Sequence, residues 1–326
     1  MTNPSARYTP IAHMKTYLDF ERPIAELEAR VTALKETANG GDVDLSPEIR
    51  KLEVKAKKLL RDTYGKLSPW QKAQVARHAE RPHFKDYVAG IAEDFMPLAG
   101  DRAFSDDQAI VGGLARVDGR KVLLLGHEKG DDTASRLKHN FGMAKPEGYR
   151  KAIRLMQMAD RFGLPVVSLV DTPGAFPGVQ AEERGQAEAI ARSTEQCLQL
   201  KVPMIATIVG EGGSGGAVAI AAANRVLMYE HAIYSVISPE GCASILWRTA
   251  EKASDAAEAM RITAKHLKEL GVIDRIVKEP LGGAHRNPQQ AITNLKRAIV
   301  EELDELATLS SDELRRQRRE KFLSIG

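Results

Sequence analysis

The chain has 326 residues, of which 43% are hydrophobic and 28% charged, as in a globular protein with one core of ~200 residues and an accessory region. The formal net charge of +3 is too small to indicate nucleic-acid binding, so the basic cluster at residues 315–319 is interpreted as a solvated helix face. No apolar run approaches the ~18 residues of a membrane span, and residues 1–13 lack a signal-peptide core, so we expect a cytoplasmic protein.

Two apolar seams with heptad spacing lie near the start of the chain. They consist of Phe20, Ile24, Leu27, Val31 and Leu34, followed by Ile49, Leu52, Ala56, Leu59 and Thr63. A turn-rich segment at residues 39–47 separates them, so the pattern predicts an antiparallel helical hairpin. The hairpin must bury its apolar stripe either within this chain or as a docking arm against another protein, and the pattern leaves both alternatives open.

The middle of the chain begins with a predicted β-hairpin. Residues 109–117 and 121–126 have the composition of strands, and Asp118 and Gly119 between them form a strong turn signal. A helix with an apolar face at Ala152, Leu155, Met156 and Ala159 follows. This order favours ββα units over a plain alternation of strands and helices.

An apolar strand at residues 164–170 ends in the sequence DTPGAFPG, residues 171–178, which we call the proline–glycine loop. Its two prolines carry no N–H group. The backbone donors that this loop can offer are therefore those of Gly174, Ala175, Phe176 and Gly178.

A second apolar strand, residues 204–209, ends in GEGGSGG, residues 210–216, which we call the glycine loop. A predicted helix, residues 217–223, follows it. Unbroken apolar strands are typical of parallel sheets covered on both faces, and ligands bind at the carboxyl edge of such sheets. The glycines permit positive φ and remove every β carbon, so backbone amides at the helix start can approach an anion closely.

The sequence of the glycine loop fits three interpretations. Gly210, Gly212 and Gly215 match a dinucleotide fingerprint, and Glu230 stands where a ribose-binding acid is expected. The amides of Gly215 and Gly216 could instead form an oxyanion hole, and a purely structural tight turn is the third alternative. The proline–glycine loop favours the oxyanion hole, because a dinucleotide fold does not require a second loop of amides beside the first.

The last third of the chain contains three short strands and several helices. Strands are predicted at residues 225–229, 233–237 and 271–277, and Ser238 and Pro239 open a helix in which Glu240 is interpreted as a helix-start acid. Asn287 opens a long helix with an apolar stripe, and Ser310 with Glu313 forms a capping box for a basic final helix.

Several segments together closely resemble the carboxyltransferase alpha subunits of bacterial acetyl-CoA carboxylases. They are residues 100–104, 109–113, 140–143, 146–152, 171–174, 181–185, 210–216, 235–247 and 280–287. The resemblance covers nearly the whole chain, and the order and spacing of the segments make it specific. It implies a crotonase-type (ClpP/crotonase-like) α/β fold with a spiral of ββα units, extended by the N-terminal hairpin and by C-terminal helices. The expected domains are residues 1–85, 86–286 and 287–326.

The resemblance also implies the activity and the partners. The chain would act only with a beta subunit, in a complex of two copies of each, and would transfer the carboxyl group of carboxybiotin to acetyl-CoA to give malonyl-CoA. The biotin would arrive on a biotin carboxyl carrier protein after loading by a biotin carboxylase, and zinc is expected on the beta subunit and not in this chain. By resemblance Gly215 and Gly216 serve biotin, with further loop amides at Gly174, Ala175, Phe176, Gly178, Gly212 and Gly213 as candidate contacts.

No side-chain constellation for nucleophilic catalysis stands out in the sequence, and the histidines lack a motif that would link them to a nucleophile. This agrees with the resemblance, because biotin would carry the transferred carboxyl group and its ureido nitrogen would accept the proton from acetyl-CoA. Two other functions remain open at this point. They are a nicotinamide-dependent oxidoreductase, which a cofactor-binding assay would reveal, and a non-catalytic scaffold with a crotonase-type core.

Overall fold

The computed structural model describes residues 16–39 and 44–325, which divide into two compact units. The first unit ends at Thr63 and the second begins at Tyr64, whereas the sequence placed its domain boundaries at residues 85 and 286. Within these described residues, no helix is both long enough and apolar enough to span a lipid bilayer.

The first unit is the predicted helical hairpin. A 3₁₀ turn (Asp19–Glu21) precedes α1 (Arg22–Asn39) and α2 (Ser46–Tyr64). Both seams contribute buried residues, namely Ile24 and Val31 on α1 and Leu52 and Ala56 on α2. The next buried residue of α2 is Leu60, and the predicted seam residue Leu59 is only partly buried. The Nζ atom of Lys35, near the end of α1, lies 2.6 Å from the Oε1 atom of Glu53, near the start of α2. The hairpin is therefore antiparallel.

The second unit contains eight strands and twelve helices among the residues described. The strands are β1 (Glu93–Pro97), β2 (Ile110–Val117), β3 (Arg120–His127), β4 (Val166–Thr172), β5 (Met204–Gly213), β6 (Arg225–Tyr229), β7 (Ile233–Ser235) and β8 (Arg275–Val277). The helices are α3 (Pro69–Ala76), α4 (Phe84–Ile91), α5 (Thr133–Lys138), α6 (Pro146–Phe162), α7 (Val179–Glu183), α8 (Gln186–Gln199), α9 (Ser214–Val218), α10 (Pro239–Trp247), α11 (Ala253–Ala259), α12 (Ala264–Glu269), α13 (Pro288–Leu306) and α14 (Ser311–Leu323).

The strands form one mixed sheet in the order β1-β2-β3-β4-β5-β6-β8, with β7 paired to the end of β5. The pairs β1/β2 and β2/β3 are antiparallel, and the pairs from β3 onward are parallel. The predicted β-hairpin is confirmed, and Asp118 and Gly119 adopt the positive φ angles, 52° and 75°, that its tight turn requires. Antiparallel strands that lead into parallel ones fit ββα units.

The parallel strands lie in the middle of the core. Every residue of β4 and β5 is buried, which explains why their sequences show no polar alternation. Helix α6 packs on β2, β3 and α8, and it buries its predicted face of Ala152, Leu155, Met156 and Ala159. The carboxyl ends of β4 and β5 are thus held in a rigid layer.

The predicted helix at residues 217–223 is wrong in its extent, because α9 ends at Val218. The carbonyl oxygens that would accept the next hydrogen bonds of a helix accept hydrogen bonds from other parts of the chain instead. The Ser193 hydroxyl donates to the Ala219 carbonyl oxygen at 2.7 Å, and the Ser168 hydroxyl donates to that of Ile220. These buried side chains turn the backbone back toward β6 after a single helical turn.

The two C-terminal helices are confirmed and belong to the second unit. The Asn287 side chain accepts a hydrogen bond from the amide of Gln290, and Ser310 and Glu313 form the predicted capping box. The apolar stripe of α13 is buried in the main core, as is Leu314 on α14. Residues 287–325 therefore complete the core of the large unit.

A buried ion pair between Arg81 and Glu279 supports the sheet close to the end of β5. The exposed fractions of the two side chains are 3% and 0%, and Arg81 also donates to the carbonyl oxygen of Val209 at 2.7 Å. Burial by itself would raise the pKa of Glu279, but the charge and hydrogen bonds of Arg81 outweigh burial and hold that pKa at about 2.

Replacing Arg81 with methionine is expected to lower the free energy of unfolding by ~3–5 kcal/mol, because it leaves a buried carboxylate without a cation. Since the folded pKa of Glu279 lies below its ordinary value of 4.5, the contribution of this pair is complete above pH 4.5 and is lost as pH falls toward 2. Urea unfolding at neutral pH and at low pH measures both effects.

The matched control is Arg192→Met, which removes an arginine from an exposed pair with Glu188. We expect it to leave the free energy of unfolding nearly unchanged, because solvent screens an exposed ion pair. An Arg81→Met variant no less stable than Arg192→Met would contradict the assigned contribution of the buried pair.

Candidate active site

The proline–glycine loop and the glycine loop meet at one edge of the sheet. Strands β4 and β5 are parallel neighbours, and Thr172 at the end of β4 is paired with Gly212 near the end of β5. The last residues of β5 also pair with β7, where Gly213 lies opposite Ser235. The first residues of α9 therefore start directly beside the proline–glycine loop.

Glycine is required where the two loops touch. A β carbon on Gly213 would overlap the carbonyl oxygen of Pro173, and one on Gly216 would lie 2.7 Å from the carbonyl carbon of Gly174. At Gly215, by contrast, a β carbon would meet only the side chain of Ile190, at 3.3 Å. Close backbone packing thus fixes one loop against the other.

The glycine loop does not use positive φ angles at its glycines, contrary to the expectation from its composition. Among residues 210–216 only Ser214 has a positive φ, 52°, and it is not a glycine. The glycines serve close approach instead of an unusual backbone conformation. This leaves the backbone at Gly215 and Gly216 in regions that other residues can also adopt.

The amides of Gly215 and Gly216 are available to a ligand. They are the second and third residues of α9, and the first amides of a helix have no partner within it. Neither amide donates a backbone or side-chain hydrogen bond within the described segments. Gly216 is buried and Gly215 is partly exposed, so a ligand can reach this helix start.

Two of the four predicted donors in the proline–glycine loop are committed to bonds within the chain. The Gly174 amide donates to the Thr172 hydroxyl at 3.1 Å, and the Phe176 amide donates to the carbonyl oxygen of Ala144 at 3.0 Å. These two amides are therefore not free to donate to a ligand in this arrangement, and a contact of Gly174 or Phe176 with biotin stays a prediction. For Ala175 and Gly178 the described residues include no acceptor of the amide.

Gly212 and Gly213 occupy a different place from the one that their composition suggested, and their contact with biotin stays a prediction. Both belong to β5, where they pair with β4 and β7, and both are buried. They lie within the sheet and not in an open loop. Their part in the site is to let Tyr234 and Pro173 approach the backbone, because β carbons at these positions would overlap those residues.

An ion cluster that the sequence did not reveal supports the end of β5. Arg77, which follows α3, donates from Nε and Nη2 to Glu211 at 3.0 and 2.7 Å and from Nη1 to Glu240 at 2.6 Å. Glu240 lies in the first turn of α10 as predicted, and it is also a partner of Arg77. No local pattern could indicate this, because Arg77 is 134 residues away from Glu211.

A cavity of about 230 Å³ opens beside the two loops. Its lining includes Asp171, Pro173 and Glu211 from the loops, with Arg77 and Phe141 from other segments. The Asp171 carboxylate accepts a hydrogen bond from the Glu211 amide at 2.8 Å and forms an ion pair with the Lys129 ammonium, at an N–O distance of 2.6 Å. The loops are thus anchored by charged groups at the cavity wall.

The Glu230 side chain already forms an ion pair. Its Oε1 atom lies 2.7 Å from the Nζ atom of Lys278, a side chain that is 76% exposed. Glu230→Gln is therefore expected to leave carboxyl transfer nearly unchanged, and NADH is expected not to bind the wild type. Titration calorimetry with NADH tests this, and micromolar binding that disappears in Glu230→Gln would favour the dinucleotide fingerprint.

Comparisons with known proteins agree on one family. The family model described as acetyl co-enzyme A carboxylase carboxyltransferase-like matches residues 17–326. The acetyl-coenzyme A carboxylase carboxyl transferase subunit alpha of Rhizorhabdus wittichii is 72% identical over 313 residues, covering 96% of this chain and 100% of its own length. The subunit of the same name from Zymomonas mobilis is 68% identical over the same shares of the two chains.

The fold comparison points the same way. Transcarboxylase 12S, solved with methylmalonyl-coenzyme A and methylmalonic acid bound, matches with a TM-score of 0.58 and 21% identity. The match covers 72% of this chain and 44% of the transcarboxylase chain, so this chain spans less than half of that protein. The likeness confirms the predicted crotonase-type α/β fold.

Proposed function

Because this chain belongs to the acetyl-CoA carboxylase carboxyltransferase-like family, we propose that it forms the biotin-side half of the carboxyltransferase site, with Gly215 and Gly216 as its oxyanion donors. The family and the close relatives make the chain a carboxyltransferase component of a biotin-dependent enzyme. The relatives are alpha subunits, which implies a beta partner in a multi-subunit complex.

The observation that carries the proposal is the pair of available amides at the start of α9. Adjacent N–H groups that the protein does not use fit an oxygen that becomes negatively charged. The ureido oxygen of biotin is such an acceptor, and the absence of a side chain at Gly215 leaves room for a ring to approach. When bound, biotin supplies the transferable carboxyl group.

The contribution of the chain is position and electrostatic stabilisation. Each amide donor of this kind contributes roughly 3 kcal/mol, so the pair accounts for several powers of ten in rate. The close packing of Gly213 and Gly216 on the proline–glycine loop holds these donors fixed before substrate arrives. The amides of Ala175 and Gly178 are secondary candidates for contact with biotin, whereas those of Gly174 and Phe176 donate within the chain.

The remaining partners follow from this role. A biotin carboxyl carrier protein would deliver the carboxyl group after a biotin carboxylase has loaded it, and acetyl-CoA would accept it to give malonyl-CoA. The beta subunit would carry the zinc ribbon and stabilise the thioester oxyanion. The proposed complex contains two copies of this chain and two of the beta subunit.

The proposal is tested by reverse transfer from malonyl-CoA to free biocytin in the assembled complex. If Gly215 and Gly216 serve biotin, changes at these positions alter the KM for biocytin or kcat and leave the KM for malonyl-CoA within about twofold. A change confined to the KM for malonyl-CoA would place the thioester, and not biotin, at this loop.

A further inference from the structure

We propose that Asp171 and Lys129 are a positioning pair that holds the proline–glycine loop and the glycine loop in the arrangement that carboxyl transfer requires. This inference rests on the proposed function, because it assigns the pair to the same amides. We assign neither side chain a contact with a substrate. Both act through the backbone segments that they join.

Asp171 connects three segments of the chain through one carboxylate. It lies in β4, one residue before the strand ends, and its side chain is 10% exposed. Its Oδ1 atom accepts a hydrogen bond from the Glu211 amide at 2.8 Å and lies 2.6 Å from the Nζ atom of Lys129. The end of β4, the end of β5 and the segment after β3 therefore meet at a single oxygen atom.

Two glycines show how tightly the pair is enclosed. A β carbon on Gly210 would overlap Oδ1 of Asp171, so the end of β5 passes directly over the carboxylate. A β carbon on Gly142 would lie 2.9 Å from both the Asp171 carbonyl oxygen and Cγ of Lys129. A fourth segment thus contacts the pair.

That fourth segment has an unusual backbone. Asn140, Phe141 and Gly142 have consecutive positive φ angles of 46°, 56° and 80°. Such a conformation is unfavourable for phenylalanine and persists only where the surroundings enforce it. The run brings Gly142 against the pair and places Phe141 at the cavity wall.

The charge of Lys129 has a second consequence. An unneutralised carboxylate beside a site that stabilises negative charge would oppose that charge. His127 lies near Asp171 but cannot replace the lysine, because burial lowers the pKa of His127 to about 3 and keeps it neutral. Arg81 is already bonded to Glu279. Lys129 is the cation in direct contact with Asp171.

We assign Lys129 no contact with the amides of Gly215 and Gly216, but its loss should still disturb their positions. An unpaired buried carboxylate is costly, so the Asp171 side chain would move toward water, and its bond to the Glu211 amide would weaken. Glu211 is two residues before Gly213, which packs directly on Pro173. Misplacement of catalytic groups by ~1 Å can cost 10²-fold in rate.

The test is Lys129→Met in the complex assembled with the beta subunit. We expect kcat to fall at least tenfold, with the KM for malonyl-CoA within about twofold of wild type and partial recovery of kcat in Lys129→Arg. The double variant Asp171→Asn/Lys129→Met is expected to turn over faster than Lys129→Met. Asparagine keeps an acceptor for the Glu211 amide and removes the charge that needs a cation.

Lys321→Met is the matched control, because Lys321 forms a comparably buried pair with Asp274 at the C-terminal helix. It should lose stability without losing kcat per folded complex. A Lys129→Met complex with kcat within twofold of wild type would overturn the inference, as would a double variant that shows no recovery or stays unfolded. Failure of the wild-type complex to transfer carboxyl groups would instead overturn the proposed function.

Discussion

Replacing Gly215 with valine is expected to lower kcat by about 10²-fold or more while the chain still folds and binds its partner. The backbone at Gly215 has no positive φ, and a β carbon there would contact only the side chain of Ile190 at 3.3 Å. The protein can therefore accommodate the substitution. The two added methyl groups would occupy the space in which a ligand must approach the amides of Gly215 and Gly216.

Two alanine variants separate blocked access from displaced loops. Gly215→Ala adds one carbon that requires only a small shift of the Ile190 side chain, and it should retain more activity than Gly215→Val. Gly216→Ala places its β carbon 2.7 Å from the carbonyl carbon of Gly174, so it should push the loops apart and lower kcat strongly. Circular dichroism and thermal melting verify folding. A Gly215→Val complex with more than about a tenth of wild-type kcat would count against the oxyanion assignment.

The fold followed from the sequence wherever a local signal decided it. The unbroken apolar runs predicted buried parallel strands, and β4 and β5 are buried at every residue. The Asp118-Gly119 turn and the capping box at Ser310 were also confirmed, because each depends on a few adjacent residues. The extent of α9 was not predictable, because hydroxyls of Ser193 and Ser168 from distant elements end that helix.

The candidate site was predictable only in part, for the same reason. Glycine spacing located the loops, but it could not show that the amide of Phe176 already donates to Ala144 or that Gly213 lies within a strand. The anchors Arg77 and Lys129 reach the loops from other segments of the chain. Their distance in sequence leaves no periodicity or motif from which the contact could be inferred.

Neither this chain nor its partner is expected to be active alone. The proposed reaction would generate two oxyanions, one on the biotin ureido oxygen and one on the thioester, and we assign one pair of available amides here to the first. Half of the stabilisation would then be missing without the beta subunit, and a site open to water would weaken the remainder. Mixing the two subunits should restore activity by several powers of ten.

A coupled assay of reverse transfer from malonyl-CoA to a biotin derivative, run on each subunit and on the mixture, measures this effect. Gly216→Ala supplies the matched control, because a mixture containing it should assemble and yet stay near the activity of the separate subunits. If the wild-type chain alone showed the activity of the mixture per active site, with beta subunit excluded by mass spectrometry, the split-site assignment would be wrong. Both oxyanions would then have to be stabilised by this chain, and the amides of Ala175 and Gly178 would become the first candidates for the second hole.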